Sequence, residues 1–244
     1  MDELLEIYKE KFRILDPVLK EYNEKQKSIG LKATNPFCIK LPDNFKSFKN
    51  RIMVFGQETN TWCNECGDLS KNNKVRSIYS NSLEKSLEIY DGFFFGGGRQ
   101  KYGGPFWNEF NRIIKNVSNE SDAVFSWNNI VKIGRIGKGN LDKINNINRD
   151  YFQVIKSEIN IFSPSMLVFF TGPNYDRFIK EYIGEFEQKE LISNVWEIHF
   201  KDEKYKDLKV IKTYHPNHLY FNKKIKQREV IKKIISEINV HCKN

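Results

Sequence analysis

No apolar run in this sequence approaches the roughly 18–20 residues that a membrane-crossing helix needs, so no membrane partner is expected. The opening Met1-Asp2-Glu3-Leu4-Leu5-Glu6 is acidic and holds no signal-peptide core, which leads to the expectation of a cytoplasmic protein. Cysteine is scarce, at Cys38, Cys63, Cys66 and Cys242. Cys63-Asn-Glu-Cys66 has the spacing of half a metal site, but no second CxxC accompanies it. Four separate reduced thiols are the expectation, with no metal and no cofactor. No Gly-Lys-Ser/Thr opens a helix after the glycine-rich stretch, which excludes a P-loop phosphate cradle. A Gly-x-Ser-x-Gly elbow and a convincing Ser/His/Asp set are also missing, and that places an unrelated α/β hydrolase last among the readings. There is no internal repeat, and no linker rich enough to divide the chain. A single domain over residues 1–244 is expected, and a monomer, since no obligate protein partner is implied.

What the chain has in excess is positive charge and aromatic rings. Lys and Arg number 40 against 31 acidic residues, a formal charge of +9, and 14% of the residues are Phe, Trp or Tyr. Such a balance favours a polyanionic partner, here taken as DNA.

In chain order, Leu4, Leu5, Tyr8, Phe12 and Leu15 form a helical stripe. Asp16-Pro17 reads as a cap and first-turn proline opening a second helix that stops by Gly30. Residues 1–45 are thus a helical extension packed on the main domain. Buried strands are expected at about 51–56, 123–131 and 165–172, with later ones at 195–200 and 208–214. Helices are expected at about 105–117, 142–161, from Pro173 through Tyr182, and 222–239. This alternation predicts an α/β fold, a three-layer α/β/α arrangement around a mainly parallel four-stranded sheet. Between Phe93 and Trp107 stand five glycines, six aromatics and the two cations Arg99 and Lys101. The segment either stacks on bases and touches phosphates or pins a long loop to the core.

Three polar clusters directly follow predicted strands: Gly56-Gln57-Glu58, Asn128-Asn129, and His215-Pro-Asn-His-Leu219. In an open α/β sheet the carboxyl ends of the strands line the ligand crevice, so a carboxylate, an amide and an imidazole are expected to converge.

In these three clusters the sequence resembles the uracil-DNA glycosylase superfamily. Gly56-Gln57-Glu58-Thr59-Asn60-Thr61 lies over that family's Gly-Gln-Asp-Pro-Tyr-His, and Asn129-Ile-Val-Lys132 looks like its Asn-Val-Val-Lys. His215-Pro-Asn-His-Leu219 matches His-Pro-Ser-Pro-Leu at His, Pro and Leu. Leu167-Val-Phe-Phe-Thr-Gly172 is similar to the family's Phe-x-x-Trp-Gly strand, and the likeness runs over roughly residues 50–235. The resemblance implies a uracil-DNA glycosylase-like fold and a monofunctional DNA glycosylase that flips a pyrimidine out of the stack. It implies Glu58 and His215 as catalytic residues, acting on water and on the departing base. Gly56, Gln57, Asn60, Asn129 and Trp62 would bind the base, with Asn129 reading its edge. Asn217, His218, Arg99 and Lys101 would hold DNA, and Leu219 would fill the gap left by the flipped base. No lysine stands at a nucleophile position in these motifs, so simple hydrolysis is implied.

The departures point away from plain uracil. Glu58 is one methylene longer than the family's aspartate. Asn60 replaces a tyrosine that walls off the pyrimidine 5-position, which would admit a 5-modified pyrimidine in repair or in defence against foreign DNA. Trp62, Phe93 and Phe106 are all candidates for the ring that stacks on the base. The alternative is a non-catalytic DNA- or lesion-binding protein of the same fold.

Overall fold

The computed structural model describes residues 3–26, 30–59, 62, 82–117, 122–137, 141–222 and 225–243. By backbone proximity the chain forms two compact units, each assembled from three segments: Met1–Lys40, Glu58–Phe95 and Val131–Ile161, and then Leu41–Gln57, Gly96–Ile130 and Phe162–Asn244.

The first unit is built on one long helix, α1 (Glu3–Lys25), in place of the two helices expected on either side of Pro17. Its buried stripe runs Leu4, Tyr8, Phe12, Leu15, Leu19 and Tyr22 without a break. The spacing is that of a single 3.6-residue helix, so burial of Leu15, Leu19 and Tyr22 outweighs the one backbone hydrogen bond that Pro17 cannot donate. A short antiparallel pair, β1 (Lys32–Ala33), and later β4 (Arg135–Ile136), sits in the same unit with α2 (Ser82–Phe94). The helix expected at 142–161 is two, α5 (Asp142–Tyr151) and α6 (Ile155–Phe162). Phe152 and Val154 are both fully buried. The chain leaves the helix after Tyr151 and re-enters it at Ile155. Phe152 packs against Tyr8 and, edge-on, Phe12 of α1.

An ionic cluster lies inside this unit. Lys132 and Glu158 are both fully buried, with Nζ 2.7 Å from Oε2. The Tyr8 hydroxyl donates to Glu158 and accepts the Ile39 N–H at 3.1 Å. Lys132 Nζ also lies 5.1 Å from the centre of the Phe37 ring. Burial pulls the Lys132 ammonium below its ordinary range, while Glu158 opposes that pull; burial also pushes the Tyr8 phenol well up.

The second unit carries the sheet. In it, β2 (Asn50–Glu58) and β3 (Ala123–Val131) extend as far as Gln57 and Ile130. They are joined by β5 (Met166–Phe170), β6 (Phe186–Ile192), β7 (Val195–Phe200) and β8 (Lys209–Thr213). Among the described residues the sheet has six strands in the order β3-β2-β5-β8-β7-β6, two more than expected. β2, β5 and β8 run parallel, with Phe55 opposite Phe169 and Phe170 opposite Thr213. β7 and β6 are antiparallel, so the sheet is mixed. β6 was not expected because its sequence, Phe-Glu-Gln-Lys-Glu-Leu-Ile, is mostly exposed; it is an edge strand whose charges face water.

The remaining elements of this unit are α3 (Gly98–Lys101), α4 (Pro105–Val117), α7 (Asp176–Tyr182), α8 (Pro216–Phe221) and α9 (Gln227–Lys243). α9 packs on β7 and β8, and α4 packs on α8 and α9. α7 is tied to the sheet by Lys212, whose buried ammonium meets both Asp176 oxygens at 2.7 and 2.8 Å and Gln188 Oε1 at 2.6 Å. Among the described residues, no helix is long and apolar enough to cross a membrane.

Candidate functional site

The three parallel strands end side by side, which places Gln57, Thr171-Gly172 and Tyr214-His215 at one end of the sheet. Gly56 shows how closely β2 and β3 approach there. A methyl group built on Gly56 would fall inside 3.0 Å of Asn129 Oδ1 and lie 3.6 Å from Phe106. The Asn129 carboxamide thus occupies the space that any larger residue at position 56 would need. Asn129 is only 4% exposed, and its side chain makes no hydrogen bond among the described residues; its backbone N–H donates to Asn128 Oδ1 at 2.8 Å. An amide with no partner among the described residues has a donor and an acceptor to offer a ligand.

His215 caps α8, and its Nδ1 accepts the Asn217 N–H at 3.2 Å. That bond leaves the ring proton of the neutral imidazole on Nε2. The ring lies nearly parallel to Phe106, with centroids 5.3 Å apart. Burial pushes the His215 pKa down to about 4, so the ring is neutral at pH 7 and Nε2 is a donor. Phe106 is itself held edge-on by Trp107, Phe110 and Phe170. Of the three aromatics left open from sequence, Phe106 is the one beside Gly56 and His215. Trp62 belongs to the first unit, where it packs edge-on against Phe37 and Phe93.

Gln57 is held by its Nε2 donating to the Thr171 carbonyl at 2.9 Å, and its Oε1 has no hydrogen-bond partner among the described residues. The Thr171 hydroxyl, buried beside it, has no hydrogen-bond partner among the described residues. Gly172, at φ +69°, has the Tyr214 ring where a methyl group would stand, 3.1 Å away. Glu58 closes β2, is half-buried, and makes no hydrogen bond or ion pair among the described residues. It falls in the first unit, one residue past Gln57.

The other expected residues divide. Arg99 is anchored by Asn111 of α4, which it meets through both its guanidinium and its carbonyl. Lys101, Asn217 and His218 are exposed. Leu219 is 1% exposed and so is not available to fill a gap in a duplex. On a helix whose inner face is Pro216 and Leu219, the rings left outside are Tyr220 and Phe221, at 61% and 75% exposure. Asn60, Cys63 and Cys66 lie outside the described residues. Among the described residues no group of three His, Cys, Asp or Glu side chains is placed to hold a metal.

Fold and site together define an α/β protein whose sheet end gathers a buried free amide, a neutral imidazole and a stacked phenyl ring. Compared with known proteins, the chain matches no family model and no curated protein.

Proposed function

We propose that the chain is a monofunctional DNA glycosylase with a uracil-DNA glycosylase-like fold, acting on uracil or a 5-modified pyrimidine in repair or in defence against modified foreign DNA. The observation that carries this reading is the Asn129 carboxamide, placed against Gly56 with no hydrogen-bond partner for its donor or its acceptor among the described residues. Such a group suits the Watson–Crick edge of a base taken out of the stack.

In the proposed reaction the C1′–N1 bond breaks with its electron pair leaving on the base. Neutral His215 donates a hydrogen bond from Nε2 to the base oxygen where that charge collects, and its depressed pKa keeps this donor neutral throughout. The Glu58 carboxylate orients the water whose oxygen bonds to C1′ and takes up its proton. Gln57, fixed by Thr171, offers Oε1 to the base. Phe106 supplies the apolar face beside it. Lys101, Asn217 and His218 contact the DNA, while Arg99, held by Asn111, braces α3, the short helix that carries Lys101.

The test is base release, followed by mass spectrometry, from oligonucleotides carrying uracil, 5-hydroxymethyl- or glucosylated pyrimidines. Glu58→Gln should lower release by about 10²–10⁴-fold with DNA binding retained. Tight DNA binding by the wild type with no release of any base would instead support a non-catalytic DNA-binding protein.

A further inference from the structure

The outward face of α8 does not suit the filling of a duplex gap. The residue placed for that task, Leu219, is turned into the core, while its neighbours present flat aromatic faces to solvent. Tyr220 and Phe221 are the most exposed pair of adjacent aromatic residues described, and they pack edge-on with centroids 5.1 Å apart. On the same helix the exposed His218 ring stacks on Tyr214 at 4.6 Å and 21°, and Tyr214 in turn meets Trp196 of β7 at 5.7 Å. One stack thus joins β7 to α8 through Trp196, Tyr214 and His218, and Tyr220 and Phe221 form a second pair at the end of the same helix, which His215 caps. The sequence that follows the pair is basic: Lys223, Lys224, Lys226 and Arg228 come after Phe221 before the first acidic residue, Glu229. From Leu208 to Arg228 the sequence has no acidic residue, and Lys226 and Arg228 stand exposed at its end, with Lys226 leaning on Glu229 at 3.2 Å. Exposed rings in an acid-free, cationic stretch match the chemistry of unpaired nucleotides, whose bases stack on aromatic faces while their phosphates seek positive charge. A paired duplex offers no free base faces to such rings.

We infer that α8 and the Tyr214–His218 stack form a stacking surface for single-stranded DNA beside the target nucleotide. The chain's substrate class is then single-stranded or locally unpaired DNA. This rests on the proposed glycosylase reading for what happens to the target base, but the surface itself is tested by binding alone.

Fluorescence anisotropy would compare a labelled oligonucleotide of ordinary bases as a single strand and as a duplex. The proteins would be the wild type, Tyr220→Ala/Phe221→Ala and Tyr220→Trp/Phe221→Trp. Both positions are solvent-exposed, and unchanged circular dichroism checks that the variants fold. The wild type should bind the single strand more tightly, the alanine pair should lose about tenfold or more of that affinity, and the tryptophan pair should keep it. Equal affinity for both forms, or an alanine pair that binds like wild type, would overturn the inference while base release remained free to occur. A wild type that releases no base yet shows the expected binding pattern would sink the glycosylase reading and leave this surface standing. If sedimentation shows a wild-type dimer that the alanine pair dissolves, with DNA affinity unchanged, the rings serve contact between copies and the inference fails.

Discussion

Replacing Lys132 with methionine tests the energetics of the buried ionic cluster in the first unit. Lys132→Met removes the ammonium but leaves the Glu158 carboxylate, which has no exposed surface, without its counter-ion. Breaking a buried pair from one side costs about 3–5 kcal/mol, because the remaining charge loses its counter-ion where water does not reach it. For a chain of this size each kcal/mol lowers Tm by about 2–4 °C, so the expected fall is roughly 6–20 °C. Lys132→Met/Glu158→Gln leaves no buried charge and keeps an oxygen that accepts from Tyr8, so it should recover more than half of the loss. Scanning calorimetry and guanidinium unfolding measure both. A Lys132→Met variant as stable as wild type, or a double variant no better than the single one, would refute the claim that charge burial dominates at this site.

Three further outcomes are expected. Gly56→Ala places a methyl group against the Asn129 amide, so urea unfolding should show a loss of about 1–3 kcal/mol. The displaced amide should lower base release by about 10²-fold if it must sit within an ångström of its productive position; wild-type release rates would remove Asn129 from the site. His215 loses stability for the fold in acid: its pKa is about 4 folded against the ordinary 6.5, so the unfolded chain binds the extra proton between those values. Stability should fall as pH drops through that window, by up to about 3 kcal/mol, and His215→Gln should flatten the slope in urea titrations at pH 4.5 and 6.5. Leu219→Ala should cost about 2–5 kcal/mol of stability through a core cavity while DNA affinity stays near wild type; a DNA-binding loss with stability unchanged would return Leu219 to the DNA surface.

Much of this protein could be read from local pattern. The apolar runs at 52–55 and 166–170 form buried strands, and the stripes through Phe106–Val117 and Val230–Ile238 form helices. The strand expected over 165–172 ends earlier, at Phe170, while the proline at 173 and the histidine before Pro216 mark element ends that the structure contains. These signals are legible because periodic burial and backbone restrictions at Gly and Pro act over a few residues.

Long-range packing settled the rest. Pro17 reads locally as a helix start, yet the burial of Leu15, Leu19 and Tyr22 carries one helix through it. Residues 142–161 read as one helix, yet the chain divides there into α5 and α6, with Phe152 and Val154 buried at the break. β6 has a surface sequence and becomes a strand because β7 offers it an unpaired edge. At the site, the motif order already named Gly56, Asn129 and His215, because each residue type fits its place at a strand end. Their proximity could not be read locally. The choice of Phe106 to lie against the His215 ring, the burial of Leu219 and the exposure of Tyr220 and Phe221 also depend on how α4 and α8 pack on the sheet. The sequence by itself determined which residues favour strand, helix or turn and which carry usable chemistry. Tertiary structure alone decided which of those groups are desolvated, paired or left free, since desolvation and pairing belong to contacts between segments far apart in the chain.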